Sequence, residues 1–240
     1  MTEGEASSSE PILIINDRPI HLVEGWEHGI GGGLWTTGLA IATYLGTPHG
    51  MEQLSTKRRV LELGSGNGFL GVCLLVANPD LEQVVITDTK EHLPLIEKTL
   101  QRNGIESATR TTIDNNSKDD ASKLSSSSSK VLVKEYLWGP TTAETSPAIK
   151  DNSFDLIIGS DLAYRNELHD PLIASILAAS NADTVTLLGV TMRDTRPIFF
   201  QKLIAAGLKY ERLADHLLEN LYRGKRFGVY VICRDDESSQ

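Results

Sequence analysis

Cysteine is scarce in this 240-residue chain, with two copies, and no apolar run approaches the roughly 18 residues that cross a bilayer. Cys73 in Gly71-Val-Cys-Leu-Leu and Cys233 in Val229-Tyr-Val-Ile-Cys cannot supply a disulfide framework or a Cys-x-x-Cys metal or redox motif. Each sits among apolar residues and reads as a small buried hydrophobe, so the cytosol is the natural compartment. Basic runs are missing as well. Lys and Arg total 23 against 32 Asp and Glu, a net charge of −9. Non-specific nucleic-acid binding draws on Lys and Arg releasing phosphate counterions, so no direct nucleic-acid partner is expected. Residues 1–10 are acidic and Ser-rich instead of basic then apolar, so no secretory or transit signal is expected. None of the six histidines has metal-ligand spacing with another His or with Cys. All six read as surface or structural, and no metal is expected.

What is present is a repeating pattern. Short β-branched runs, Val60–Leu63, Val84–Thr87, Val131–Val133, Phe154–Ile158 and Thr184–Leu188, alternate with stretches whose apolar residues fall three or four apart. Phe69–Ala77 is apolar nearly all round and predicts a buried helix, while Leu93, Ile96 and Leu100 mark one face of the next. Asp170-Pro171 predicts an N-cap with Pro at N1. Pro197 opens another helix with Phe200, Leu203 and Ile204 inward and Gly207 as its stop. Five such units imply an α/β fold with a single Rossmann-like doubly wound and mostly parallel sheet, which a C-terminal pair of strands brings to seven. The pair Tyr210–Leu213 and Phe227–Ile232 favours an antiparallel C-terminal strand. Ahead of the first unit, Ile12–Ile15 and Ile20–Val23 flank Asn16–Pro19 as a hairpin, and Trp35–Leu45 predicts a helix extension. The expected organisation is a disordered N-terminus 1–10, one domain 11–233 with a low-complexity insertion 114–130, and a disordered acidic tail 234–240. Three acids in 1–10, and one Arg against three acids in 234–240, account for −5 of the net charge and leave about −4 on the rest.

Val60-Leu-Glu-Leu-Gly-Ser-Gly-Asn-Gly-Phe-Leu-Gly71 runs from strand through glycines into helix. Gly64 and Gly66 let the backbone turn sharply and a ligand lie against the amides. Gly66-Asn-Gly-Phe-Leu-Gly71 fits the dinucleotide pattern literally, yet counted from Gly64, the first turn glycine, the pattern puts Phe69 where its third glycine belongs. No Gly-Lys-Ser/Thr follows, which excludes a P-loop. Asp88 closes the second strand 24 residues past Gly64, where a carboxylate can accept ribose hydroxyls. On residues alone, a dinucleotide and another nucleoside both remain open as ligands.

Glu62-Leu-Gly-Ser-Gly-Asn-Gly68 resembles the first motif of the seven-β-strand S-adenosylmethionine methyltransferases. That resemblance implies that Glu62 lies near the cofactor's amino group, that Gly64, Ser65 and Gly66 pass its methionyl part, and that Asp88 holds its ribose. Gly33-Leu-Trp35, Val133-Lys-Glu-Tyr-Leu-Trp-Gly139 and Phe154-Asp-Leu-Ile-Ile-Gly-Ser-Asp-Leu-Ala-Tyr164 extend the likeness to methyltransferase family 16, which includes cytosolic protein-lysine methyltransferases. It implies that Trp35 and Trp138 surround the cofactor and that Ser160 lies near the adenine. Trp26 has no such match and reads as structural. Asp161-Leu-Ala-Tyr164 resembles the family's D-x-x-Y signature and lacks both prolines of the N-P-P-Y pattern of amino-group DNA methyltransferases. By the resemblance, Asp161 and Tyr164 border the acceptor-lysine channel as the catalytic pair. The alternative for Asp161 is a helix cap, and for Tyr164, Trp35 and Trp138 a place in the core.

The expected function is therefore S-adenosylmethionine-dependent methylation of lysine in a cytosolic protein, by a monomer with no membrane contact. By the same resemblance, its partner is an elongation factor or chaperone, with translation elongation factor 1A favoured. A small-molecule N-methyltransferase, an NAD-dependent oxidoreductase and a non-catalytic scaffold are the rival readings. Arg193 and Arg196, after the fifth strand, are candidates for substrate contact or a solvated helix start.

Overall fold

A computed structural model describes residues 10–108, 130–139, 146, 149, 154–191, 195 and 197–235. Arg193, Arg196, residues 1–9 and 236–240, and all of the 114–130 insertion except Lys130 lie outside the described residues.

An N-terminal hairpin, β1 (Leu13–Ile15) and β2 (Arg18–Ile20), precedes α1 (Thr36–Leu45) and α2 (Pro48–Ser55). The hairpin is tighter than its sequence suggests. Asn16 and Asp17, with φ of 50° and 58°, form the turn alone, and Arg18 and Pro19 already belong to the second strand. These positive angles match the mirror-image turn that suits the right-handed twist of paired strands. Five parallel strands follow: β3 (Arg59–Glu62), β4 (Gln83–Asp88), β5 (Val131–Glu135), β6 (Leu156–Ser160) and β7 (Val185–Thr191). The chain closes with β8 (Leu208–Arg212) and β9 (Phe227–Arg234). The sheet order is β5-β4-β3-β6-β7-β9-β8, and β9 is antiparallel to both neighbours. This is the expected doubly wound, seven-stranded sheet with an antiparallel C-terminal strand.

Alternation along the strands separates two cores. Val60, Val84, Ile86 and Ile158 face α1, α3 (Phe69–Ala77) and α4 (Leu93–Arg102). Leu61, Val85, Ile157 and Leu188 face α5 (Asn166–Ala179) and α6 (Pro197–Ala205). All nine residues of α3 are buried, as its uniform apolarity predicts. The order reverses at β3, which pairs with β4 on one side and β6 on the other. A crevice opens at the carboxyl ends of strands where the order reverses.

Three local expectations fail for physical reasons. α5 starts at Asn166, so Pro171 lies inside the helix and Asp170 is not its cap. The ring of Pro171 removes one N–H bond, to the carbonyl of Glu167, in a turn where Glu167 is exposed to water. In α6, Phe199 and Leu203 are fully buried while Ile204 is 61% exposed. At roughly 100° per residue, Ile204 sits roughly 140° around from Phe199, beyond the arc that meets the sheet. Cys73 is buried as expected, but Cys233 is only half-buried near the end of β9. No helix among the described residues is long and apolar enough to cross a membrane.

Candidate active site

The glycine loop leaves β3 and enters α3 in a conformation that two of its glycines make available. Gly64 has φ +57°, and a Cβ there would lie 2.6 Å from Leu162 Cδ2 and 2.9 Å from the Trp138 ring. Gly66 has φ +67°, and its Cβ would lie 2.2 Å from the Gly31 carbonyl oxygen. Left-handed backbone and close approach both require glycine at these positions. Asn67 ties the loop to the segment above it, its Nδ2 donating to the Gly33 carbonyl at 2.8 Å.

Asp88 ends β4 beside this loop. Its Oδ2 accepts the Gly66 N–H at 2.7 Å, and its Oδ1 accepts the Thr89 N–H at 2.6 Å. His92 Nδ1 stands 3.0 Å from the same Oδ1. A carboxylate offers about four acceptor sites, so three are engaged within the protein and one is left, on Oδ2, for a ligand hydroxyl. Sequence reasoning expected capacity for both ribose hydroxyls, and did not anticipate His92. The histidine lies four residues past Asp88, in the turn before α4, and lines the cavity, and its Nε2 is buried without a hydrogen-bond partner. The hydrogen bond that its Nδ1 donates to Asp88 raises its pKa above the ordinary imidazole value.

A cavity of about 600 Å³ opens here, within the range of small-ligand sites. Gly64, Ser65, Gly66 and Asp88 line one part of it. Trp35, Trp138 and Ser160 line another, and Asp161 and Tyr164 stand with them. Trp35 is anchored by its Nε1, which donates to the Ile30 carbonyl at 3.0 Å. Trp26 does not line the cavity. It is 60% exposed and lies over Gly33, where a Cβ would come within 2.2 Å of its ring. Among the described residues, no group of three or more His, Cys, Asp and Glu could hold a metal ion.

Of the ten residues singled out from the sequence, only Glu62 is absent from the cavity wall. It is 1% exposed and sits behind the glycine loop, where a Cβ on Gly71 would lie 2.7 Å from its Oε2. That oxygen has no hydrogen-bond partner. Burial, with a smaller contribution from the charge of Asp88, pushes the Glu62 carboxyl up to about 8 from its ordinary 4.5. The folded chain thus keeps a proton that the unfolded chain releases, so the stabilisation is complete below about pH 4.5 and disappears as pH rises through about 8. Glu62→Gln should remove this slope. Its melting temperature should gain on the wild type by roughly 3–5 °C per pH unit across that window, as read by thermal denaturation at pH 5, 6.5 and 8.5.

Asp161 follows β6 with φ +54°, a left-handed conformation uncommon outside glycine. Its Oδ2 accepts from Thr37 Oγ1 and its Oδ1 from Thr191 Oγ1, each at 2.6 Å. Nothing in the sequence marks either threonine, since they reach Asp161 only once α1 and β7 meet beside it. His169, fully buried in α5, donates from Nε2 to the Ala163 carbonyl at 3.1 Å and steadies the turn that carries Tyr164.

Residues 15–206 match the family model described as lysine methyltransferase. The chain belongs to the lysine methyltransferase family. Among its relatives is the protein-lysine N-methyltransferase EFM6 of Saccharomyces cerevisiae, 28% identical over 172 residues, which cover 64% of this chain and 59% of that protein. The chain therefore spans less than two thirds of that relative's length. The protein N-lysine methyltransferase METTL21A of Danio rerio is 28% identical over 192 residues, 79% of this chain and 73% of its own. Among solved structures, the ribosomal protein L11 methylase of Lactobacillus delbrueckii subsp. bulgaricus aligns with TM-score 0.55 and 18% identity over 84% of this chain and 80% of its own. An O-methyltransferase of Bacillus cereus in complex with SAH aligns with TM-score 0.53 and 14% identity over 87% and 84%. These two share the fold of this member of the lysine methyltransferase family.

Proposed function

We propose that the chain is an S-adenosylmethionine-dependent protein-lysine N-methyltransferase, working as a cytosolic monomer through the domain formed by residues 11–233. One observation carries the reading: Asp161, clamped by two hydroxyls, and Tyr164 share one cavity with the glycine loop and Asp88. The residues present suit the cofactor. Gly64 and Gly66 line the cavity with backbone that carries no side chain and Asp88 has one acceptor site left for the ribose, while Glu62 stays behind the loop, off the cavity wall. When bound, the cofactor supplies a methyl group on a sulfonium, which the acceptor nitrogen takes in an in-line displacement while the C–S bond breaks.

The chain's own residues supply orientation and exclusion of water. Free lysine has a pKa near 10.4 and must lose its proton to attack. Trp35, Trp138 and Tyr164 give the cavity apolar walls, which favour the neutral amine by desolvation. Asp161 then holds that amine by a hydrogen bond. Ile30, Trp35, Leu137 and Tyr164, each between 38% and 54% exposed, rim the cavity, and this open apolar mouth suits a protein acceptor better than an enclosed small molecule. A translation elongation factor, 1A first, or a chaperone is the proposed target.

The test pairs calorimetry with labelling. S-adenosylmethionine should bind and NAD should not. Tritiated cofactor, incubated with the chain and a lysate lacking its endogenous activity, should label a discrete protein on lysine, identified by mass spectrometry. Binding of NAD alone, or label confined to small molecules, would overturn the reading. Label on an N-terminal amine would move the acceptor to the second chemistry named for a Cryptococcus neoformans relative, the protein N-terminal and lysine N-methyltransferase EFM7.

A further inference from the structure

We infer that Thr37 and Thr191 are positioning residues for methyl transfer, fixing the Asp161 carboxylate in the cavity wall so that it presents the acceptor amine in line with the methyl donor. The inference rests on the proposed role of Asp161 and goes beyond it in naming what sets that carboxylate's orientation.

Three elements distant in sequence converge on one side chain. Thr37 lies in the first turn of α1 and is fully buried, Asp161 follows β6, and Thr191 is the last residue of β7. Each hydroxyl donates to a different carboxylate oxygen at 2.6 Å, the length of a hydrogen bond to a charged acceptor. The backbone is held too, since the Asp161 N–H donates to the Gly189 carbonyl at 2.8 Å. Gly189 makes the convergence sterically feasible. A Cβ there would lie 2.7 Å from Thr37 Cβ and 2.8 Å from its Oγ1, so a larger residue would push α1 off β7 and pull Thr37 out of reach.

The clamp differs from an ordinary core tie in its location. Asp161 and Thr191 both line the cavity, beside Tyr164. Asp161 takes left-handed backbone, which aspartate enters more readily than most residues, and such positions cluster at functional sites. The terminal torsion of an aspartate is otherwise broad, so an untied carboxylate would sweep through a wide arc. Two bonds to opposite oxygens remove that rotation. Misplacing a reacting partner by about 1 Å can cost about a hundredfold in rate, which gives the clamp a kinetic consequence.

The full chain carrying Thr37→Val, Thr191→Val or both tests this, with tritiated S-adenosylmethionine as donor and the lysate protein that the wild type labels as acceptor. Valine keeps the shape and removes the hydroxyl. Each single change should lower kcat about tenfold and the pair about a hundredfold, with KM for the acceptor changed less than threefold. Calorimetric affinity for S-adenosylmethionine should stay within about twofold, because neither hydroxyl contacts the glycine loop or Asp88. Serine at either position, which returns the donor, should restore turnover. Thr191 is half-buried, so Thr191→Val reports even if the buried Thr37 change unfolds the chain. Valine variants with full kcat alongside an inactive Asp161→Asn would overturn the clamp alone. So would a fall in kcat matched by equal losses of melting temperature and cofactor affinity. A fully active Asp161→Asn would overturn the reading of Asp161, and the clamp with it.

Discussion

Asp161→Asn should reduce single-turnover methyl transfer by about 10²- to 10³-fold while leaving calorimetric affinity for S-adenosylmethionine within about twofold. Asparagine is the informative replacement because it occupies left-handed backbone readily, so the φ of +54° carries little added cost. Its amide also fits between the two threonines, accepting from one hydroxyl and donating to the other. What it lacks is the negative charge that steadies an amine as positive charge develops on its nitrogen during transfer. Asp161→Ala should lose transfer equally and melt lower as well. It leaves two hydroxyls without their acceptor, at about 1–3 kcal/mol for an unsatisfied buried group, and places alanine in a disfavoured conformation. Undiminished turnover in Asp161→Asn would remove Asp161 from the chemistry.

Gly66→Ala should abolish measurable cofactor binding and lower the melting temperature by about 5–12 °C. Two costs combine at this position. Left-handed backbone disfavours any Cβ, and the added carbon would stand 2.2 Å from the Gly31 carbonyl oxygen. Because that obstacle is backbone, relief requires moving either the glycine loop or the segment above it. Gly66 N–H is also the donor that holds Asp88 Oδ2, so displacement of the loop would misplace the carboxylate proposed for the ribose. Gly104→Ala separates strain from collision. Gly104 has φ +68° with no atom within 4 Å of an added Cβ, so its replacement should cost only the strain, about 1 kcal/mol, and leave cofactor affinity intact. Equal loss of binding in both variants would show that the close approach at Gly66 is irrelevant.

Most of the fold was legible because periodicity reports which side of an element is covered. The uniform apolarity of Phe69–Ala77 predicted a fully buried helix, and α3 is buried at every position. Where local signals misled, a stronger local rule was overridden by tertiary packing. Asp170-Pro171 has the chemistry of a helix start, yet α5 begins at Asn166 because docking of Leu172, Ile173 and Ile176 against the sheet outweighs one missing hydrogen bond. The candidate site was legible in the glycines and in Asp88, which announce themselves by conformation and by place at a strand end. His92 was not, since a histidine four residues past an acid looks like any helical surface residue until its Nδ1 is seen 3.0 Å from Asp88.

The sequence alone therefore determined the α/β class, the strand that carries the glycine loop, and the family likeness carried by its motifs. Those features are local, set by residue type and spacing within a few turns of chain. Tertiary structure decided the rest: that Glu62 lies behind the loop as a buried carboxyl, that three of Asp88's acceptor sites are already engaged, and that Thr37 and Thr191 grip Asp161. Thr37 and Asp161 are 124 residues apart, and Thr191 stands a further 30 on. Periodicity says that a face is buried but not against what, so contacts of that span appear only when the reversal of strand order at β3 brings β6, β7 and α1 to one crevice.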